Sequence, residues 1–110
     1  MTFNFKRGEV YLVQETPMRN SGIENTRPWV LFGANPVNRA RRTIIAIPLS
    51  TQVKEISGFC IKVCVNGIYS YAVLDQIRAL DKTRFIRHEG MLTQQEISLM
   101  EDGLRQILCL

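Results

Sequence analysis

A single histidine and three cysteines among 110 residues leave little material for metal or thiol chemistry. A structural zinc site needs about four nitrogen or sulfur ligands at close spacing. Cys60, Cys64, Cys109 and His88 do not offer that pattern. Cys60 and Cys64 fall in one predicted strand, where a rise of roughly 3.3 Å per residue puts them too far apart for a disulfide. The three thiols are expected to be small buried hydrophobes in a reducing compartment. His88, between Arg87 and Glu89, is expected on the surface. No apolar run approaches the ~20 residues of a membrane span. Met1 to Arg7 has neither the apolar core nor the small-residue cleavage site of a secretory signal, so the expectation is cytoplasmic. A phosphate-binding glycine loop, a nucleophile elbow and a His-Glu-x-x-His run are missing too. Without repeats, low-complexity stretches or a linker, residues 1–110 are expected to form one domain around one core.

Charge is present but uneven. The net charge is +4, and residues 1–57 hold eight Lys and Arg against four Asp and Glu, while residues 58–110 hold six of each. The excess lies in the half that contains Arg27 and the basic turn Arg39-Ala40-Arg41-Arg42. Such a cluster suits a polyanion, although a solvated surface turn has the same composition.

Two apolar runs dominate the pattern, Arg27-Pro28-Trp29-Val30-Leu31-Phe32-Gly33 and Thr43-Ile44-Ile45-Ala46-Ile47-Pro48-Leu49-Ser50-Thr51. Their length and their content of β-branched and aromatic residues predict adjacent buried strands, joined by a turn over Asn35 to Arg42. Continuous apolarity predicts that both faces are covered, one by the core and one by a helix or a second subunit. Before them, Glu9 to Glu15 reads as a strand and residues 16–26 as a long loop. After them, Phe59 to Val65 and Ile68 to Leu74 flank Asn66-Gly67, the signature of a type I′ hairpin. The second strand is expected to run on through Asp75-Gln76-Ile77-Arg78-Ala79-Leu80. Period 2 then sets Asp75 on the apolar face of Val73 and Ile77, where a carboxylate needs a partner or a task. A short strand is expected around Arg84-Phe85-Ile86. Thr93-Gln94-Gln95-Glu96 is a capping box, with Leu92 able to staple onto Ile97. The helix that follows carries Ile97, Met100, Leu104, Ile107 and Leu108 on one stripe. The fold class is therefore mainly β, a small bent antiparallel sheet or partly open barrel with a C-terminal α-helix over one opening.

If the two central strands pair antiparallel, Arg27 at the start of one lies near Ser50 and Thr51 at the end of the other. The rim could also hold Glu24 and Asp75. This inventory suits metal-independent RNA cleavage, in which the substrate supplies its own 2′-hydroxyl nucleophile. The protein then supplies a base, an acid and a cation for the developing charge. The planar fork of arginine binds two phosphate oxygens at once. A structural salt bridge at a strand end is the plainer reading of the same residues.

Four blocks resemble the MazF/PemK (Kid) toxins: Arg7-Gly8-Glu9-Val10-Tyr11-Leu12-Val13, Arg27-Pro28-Trp29-Val30-Leu31, Ile47-Pro48-Leu49-Ser50-Thr51-Gln52, and Leu74-Asp75-Gln76-Ile77-Arg78-Ala79-Leu80-Asp81. They occur in the family order and, with the terminal helix, cover nearly the whole chain. The resemblance implies an SH3-like barrel and a symmetric homodimer. It implies sequence-specific cleavage of single-stranded mRNA without metal or other cofactor, leaving 2′,3′-cyclic phosphate and 5′-hydroxyl ends. It also implies neutralisation by a cognate antitoxin whose tail blocks the RNA groove. Carried over by position, Arg27 matches the catalytic arginine, Ser50 the usual threonine and Asp75 the aspartate of the D-Q block; Glu24 or Asp75 would orient or deprotonate the 2′-hydroxyl. Thr51, Gln76, Arg19 and Asn25 would line the RNA groove, and Arg39, Arg41 and Arg42 would guide RNA electrostatically. The chain departs from the pattern at Ser50, which lacks the threonine methyl, and at Val73, where PemK-like members carry an arginine.

Two other readings belong to different classes. A toxin of the same barrel can act by binding a protein target such as gyrase, as CcdB does, with no nuclease activity. A catalytically weakened homologue would only bind RNA or an antitoxin.

Overall fold

The computed structural model describes residues 3–15, 25–52 and 59–110. Within them the elements run β1 (Glu9–Gln14), β2 (Thr26–Leu31), α1 (Asn35–Ala40), β3 (Thr43–Ser50), β4 (Cys60–Val65), β5 (Ile68–Val73), β6 (Arg78–Asp81), β7 (Phe85–Met91) and α2 (Gln94–Leu108). Single 3₁₀ turns, Leu74–Gln76 and Lys82–Arg84, flank β6. The strands form one antiparallel half-barrel in the order β4–β5–β3–β2–β1–β7, with β6 also paired to β3. No helix among the described residues is long and apolar enough to cross a membrane.

The two central runs pair as expected, with Trp29 opposite Pro48, Val30 opposite Ile47 and Leu31 opposite Ala46. Their connection differs from the expected turn, because Asn35 to Ala40 forms helix α1. Pro36 sits in its first turn, where the missing N–H costs nothing. The buried Asn38 donates from Nδ2 to the Gly33 carbonyl at 3.0 Å, which closes the helix onto the end of β2.

Both faces of the sheet are apolar, and alternate residues supply two separate clusters. Val10, Val30, Ile47, Leu49, Val63, Ala72 and Leu74 face α2 with Leu92, Ile97, Met100 and Leu104. Tyr11, Val13, Trp29, Leu31, Ile44, Ala46, Leu80 and Phe85 face the other way. The expectation of one core is thus corrected to two. Among the described residues no helix covers the second face; Phe3 and Phe5 of the N-terminal segment pack against it. Phe5 stacks edge-on against Phe85 and tilted against Tyr11, with centroids 5.1 and 5.2 Å apart. Each such aromatic contact contributes roughly 0.5–1.5 kcal/mol beyond area burial.

The hairpin is as written in the sequence: Val65 opposes Ile68, and Asn66 and Gly67 take φ of 52° and 79°. Two positive φ values are the requirement of a type I′ turn. The continuation past β5 is corrected. Ala72 opposes Leu49, whereas Arg78 opposes Ala46, so the three-residue turn Leu74–Gln76 shifts the register against β3 by three. An odd shift inverts the pleat. Ala72 and Leu80 have the same parity in sequence yet lie in opposite clusters. Period 2 cannot be carried across that turn.

Helix α2 starts as its capping box requires: Thr93 Oγ1 accepts from Glu96 N at 3.1 Å and Glu96 Oε1 from Thr93 N at 2.8 Å. The second oxygen of Glu96 accepts from Cys64 N on edge strand β4 at 2.7 Å. One carboxylate thus caps the helix and fastens it to the sheet. Ile97, Met100 and Leu104 are buried beneath the helix, while Leu108, expected on the same stripe, is half exposed. At the opposite end of α2's contact, Arg7 pairs with Glu101 at 2.9 Å, donates to the Phe32 carbonyl and covers the Phe32 ring. Gly8, at φ +92°, packs where a Cβ would meet Ile97 Cδ1 at 2.8 Å. The Arg7-Gly8 block therefore fixes the helix to the sheet. The cysteines are free; Cys60 is buried and Cys64 partly so, but Cys109 is exposed, contrary to expectation. It caps α2 in the left-handed region, beyond the last buried turn.

Candidate functional site

Continuing the β2–β3 register by two residues from Trp29 and Pro48 brings Arg27 opposite Ser50. Two prolines, Pro28 and Pro48, fall in this stretch and supply no ladder N–H, and the β2–β3 pairing ends at Trp29 and Pro48. A hollow of about 420 Å³ opens beside them. Thr26, Arg27 and Pro28 line it from β2, and Leu49, Ser50, Thr51 and Gln52 from the end of β3. Val65, Asn66, Ile68 and Ser70 of the β4–β5 hairpin close one side, and Glu89 of β7 adds a carboxylate. The lining is thus a cation, several hydroxyls and amides, and one acid, set on an apolar floor that includes Val10 and Leu49.

Arg27 also borders a second, shallower hollow of about 280 Å³ with Glu15, Trp29, Pro48, Val73, Gln76 and Arg78. Its Nε lies 3.4 Å from Glu15 Oε2, and the same oxygen accepts from Trp29 Nε1 at 3.1 Å. Glu15 is in turn held through its backbone: its N–H donates to Asn25 O at 2.9 Å, and its carbonyl accepts from Arg84 Nη1 at 2.7 Å. With Nε the nitrogen nearest Glu15, the two terminal nitrogens of the Arg27 fork are placed to meet an oxyanion. The Arg27 side chain remains 42% exposed, so an incoming anion can reach it.

Ser50 Oγ accepts from the Gln52 backbone N–H at 3.2 Å. This local turn orients the hydroxyl and leaves its proton to be donated. Threonine would restrict the rotamer through its methyl group; here the Gln52 amide supplies an orienting contact instead.

The structure brings together only part of the expected set. Arg27, Ser50 and Thr51 line one hollow, and Gln76 lines the second hollow beside Arg27. Asn25 lies just ahead of β2, against Glu15. Asp75 lies exposed in the 3₁₀ turn and borders neither hollow, which corrects its expected place on an apolar face. Arg39, on α1, and Arg41 and Arg42 beyond it are exposed at the opposite end of β3 from Ser50. Seven residues of strand separate Thr43 from Ser50, about 23 Å, which is more than two Debye lengths at physiological salt. Within one chain these arginines do not join the site. Glu24 and Arg19 lie outside the described residues.

Glu15, Trp29, Gln52, Asn66 and Glu89 escaped the sequence reading. The signal for Glu15 was available, since pairing β1 with β2 sets Val13 opposite Arg27 and so places Glu15 on the same face. Glu89 was hidden by the short strand expected near Phe85; β7 in fact runs to Met91. His88 is surface-placed as expected, 3.1 Å from Glu9 Oε2 and edge-on to the Tyr11 ring. Burial, followed by the neighbouring Glu9 carboxylate, pushes the Tyr11 phenol up to about 12. This group sits on β1 away from both hollows. No three His, Cys, Asp or Glu side chains cluster as metal ligands among the described residues.

Comparison with known proteins gives a consistent result. The sequence model of the family described as PemK-like, MazF-like toxin of type II toxin-antitoxin system matches residues 6–108. Endoribonuclease MazF9 of Mycobacterium tuberculosis is 24% identical over 109 residues, covering 91% of this chain and 92% of that protein. Among solved structures, MazF of Deinococcus radiodurans superposes with a TM-score of 0.82 at 17% identity, over 99% of this chain and 100% of that one. An endoribonuclease in complex with its cognate antitoxin, from a mycobacterial species, gives 0.78 at 23% identity over 96% and 95%. The half-barrel with its terminal helix is the fold of those toxins.

Proposed function

Because this chain belongs to the family of PemK-like, MazF-like toxins of type II toxin–antitoxin systems, we propose that it is a toxin endoribonuclease. In this reading it cleaves single-stranded mRNA at a short motif, by attack of the substrate's own 2′-hydroxyl and without a metal. The observation that carries the reading is the common hollow bordered by Arg27, Ser50 and Thr51. It is supported by a curated relative that is an endoribonuclease.

The chemistry follows from these groups. The 2′-oxygen bonds to the adjacent phosphorus while the bond to the 5′-oxygen breaks, giving a 2′,3′-cyclic phosphate and a 5′-hydroxyl. Negative charge grows on the non-bridging oxygens at the transition state. The terminal nitrogens of Arg27 bind those oxygens, and donors placed for developing charge lower the barrier more than they bind the ground state. Ser50 donates its hydroxyl proton to the same phosphate, with Thr51 beside it. A base accepts the 2′-proton and an acid protonates the leaving oxygen. Asp75 borders neither hollow, whereas Glu89 lines the first; the bases to test are Glu89 and Glu24, which stands three residues ahead of Arg27 in sequence. Arg27 is the candidate acid. Gln76, Asn25 and Arg19 are candidate groove contacts. Arg39, Arg41 and Arg42 act only if RNA extends to the far end of β3 or a second subunit brings them near.

Two partners complete the proposal. A cognate antitoxin neutralises the toxin, as a mycobacterial relative and the Deinococcus radiodurans MazF have been solved with theirs. A homodimer is the working unit; sedimentation as a monomer at micromolar concentration would remove it. The decisive test incubates purified protein with a long unstructured RNA in EDTA, beside Arg27→Ala, and maps the ends by mass spectrometry. Cuts at a repeated motif with cyclic-phosphate ends, absent in the variant, support the proposal. Intact RNA from folded protein overturns it in favour of a protein-target toxin or a weakened homologue.

A further inference from the structure

The active rim continues across the sheet into a row that the catalytic reading does not use. Ser50 opposes Tyr71 on β5, and Tyr71 opposes Lys62 on β4. Directly opposed residues of antiparallel strands project from the same face. Ser50, Tyr71 and Lys62 therefore stand side by side on one face, at about 4.8 Å per strand. The next residues on that face are Tyr69 and its partner Cys64. Lys62 Nζ lies 4.8 Å from the centre of the Tyr69 ring. Tyr69 is 64% exposed, although a tyrosine on a sheet ordinarily finds cover from its neighbours. Its hydrophobic ring is left open on the side away from Lys62. The opposite face of the same hairpin carries Val63, Ser70 and Ala72, and there Ser70, Val65 and Ile68 border the first hollow; the row therefore lies on the Arg27–Glu15 side of the sheet, beside the second hollow.

We propose that Tyr71, Tyr69 and Lys62 form a stacking platform for the nucleotides next to the scissile phosphate of a single-stranded RNA. The inference rests on the endoribonuclease reading and extends it from the reacting phosphate to its flank. An aromatic ring accepts a base of any identity by stacking, and a lysine beside it binds the connecting phosphate. The row starts at Ser50 and reaches Lys62 after two strand spacings, about 10 Å, within the reach of the next two nucleotides of an extended strand. The charge sign suits RNA: Lys62 is exposed on this face, and Arg78 borders the adjoining hollow with Gln76. The hairpin is also a rigid support, since its turn is of type I′ and β4 is fastened to α2 through Glu96. The platform contributes affinity for the flank, whereas Arg27 and Ser50 contribute to the chemical step.

The test uses short single-stranded RNAs containing the cleavage motif, with and without two extra nucleotides on each side in turn. Tyr69→Ala and Tyr71→Ala are expected to raise KM about tenfold on the longer RNA, with the loss carried in KM rather than kcat. Tyr69→Phe, which keeps the ring, is expected to recover the wild-type KM. On RNA trimmed on the platform side, wild type and alanine variants should converge. Binding of a fluorescent RNA in EDTA, followed by anisotropy, reads the platform separately from cleavage. Weaker binding by Tyr69→Ala in a protein that cuts nothing keeps the platform and overturns the nuclease reading. Unchanged KM and binding in an active enzyme overturns the platform and keeps the nuclease. A loss that the phenylalanine does not recover, or that persists on trimmed RNA, also overturns it. Variants that handle RNA normally but escape the antitoxin would reassign this face to the protein partner.

Discussion

Glu15 holds Arg27 by its Nε, at 3.4 Å, and the carboxylate oxygen that does so also accepts from Trp29 Nε1 at 3.1 Å. Trp29 is almost fully buried, so this oxygen is referenced to the core. An arginine with one nitrogen fixed this way loses less freedom when its other two bind a phosphate. Glu15 is therefore a positioning residue. Glu15→Gln retains an acceptor for both donors and should cost little. Glu15→Ala should lower kcat/KM about tenfold, through loss of the ion pair that restrains the guanidinium and of the acceptor for Trp29 Nε1. Steady-state cleavage of a fluorogenic RNA measures both. An alanine variant more active than wild type would mean that the carboxylate competes with the phosphate.

Arg27→Lys keeps the charge but replaces a planar fork with a point donor. The expected loss is about 10²-fold or more in kcat, because a lysine ammonium cannot reproduce two parallel bonds to phosphate oxygens. A lysine variant within threefold of wild type would reduce Arg27 to a general attraction for RNA, and the transition-state role would fall.

Ser50→Ala should cost about 10²–10³ in kcat, as expected for removal of one oxyanion donor. Ser50→Thr should stay within about threefold of wild type, because the Gln52 amide already orients the serine hydroxyl. Single-turnover rates on a short RNA decide it. A large gain on introducing threonine would favour the weakened-homologue reading.

Much of this geometry could be read before folding, and the parts that could not have a common cause. The Asn66-Gly67 hairpin, the capped helix and the pairing of the two central strands rest on local chemistry, so they were legible. The link from Arg27 to Ser50 followed from antiparallel pairing alone. What failed depended on register across an interruption. Leu74–Gln76 shifts the pairing with β3 by three and moves Asp75 out to solvent. No residue in that segment is a glycine or proline that would have marked the break. Helix α1 was hidden by Asn35-Pro36, a pair that reads as a turn but also begins helices. The second apolar face was legible from the continuous runs, but its cover by Phe3 and Phe5 was not, because these lie in a lead too short to show any period.

Glu96 joins two parts of the fold through one carboxylate, accepting from Thr93 on the helix cap and from Cys64 on β4. Glu96→Ala removes both contacts and leaves a partly buried edge N–H without its acceptor. The expected loss is about 2–3 kcal/mol, the sum of a cap and a charge-assisted bond. Glu96→Gln should lose less, because the amide oxygen can still serve one donor. Urea denaturation of the two variants provides the comparison. If alanine costs under 0.5 kcal/mol, the helix is held by Ile97, Met100 and Leu104 alone.

Tyr11 gives the fold an alkaline limit that is separable from its chemistry. Its phenol is raised from 10.0 to about 12, first by burial and then by the Glu9 carboxylate beside it. Both effects disfavour the phenolate, so the folded state prefers the neutral ring. The stabilisation is complete below pH 10, the unfolded value, and is lost as pH rises from there through the folded value. A shift of this size corresponds to at most about 3 kcal/mol of stability. Tyr11→Phe keeps the ring packed against Phe5 and Phe85 and removes the proton. The difference in urea stability between wild type and Tyr11→Phe should therefore be constant from pH 7 to about 9.5, then move against the wild type up to pH 12. Lysine and arginine titrations common to both proteins cancel in that difference. A difference that stays flat through pH 12 would show that the phenol ionises as readily in the folded chain as in the unfolded one, and would remove Tyr11 as the source of the alkaline limit.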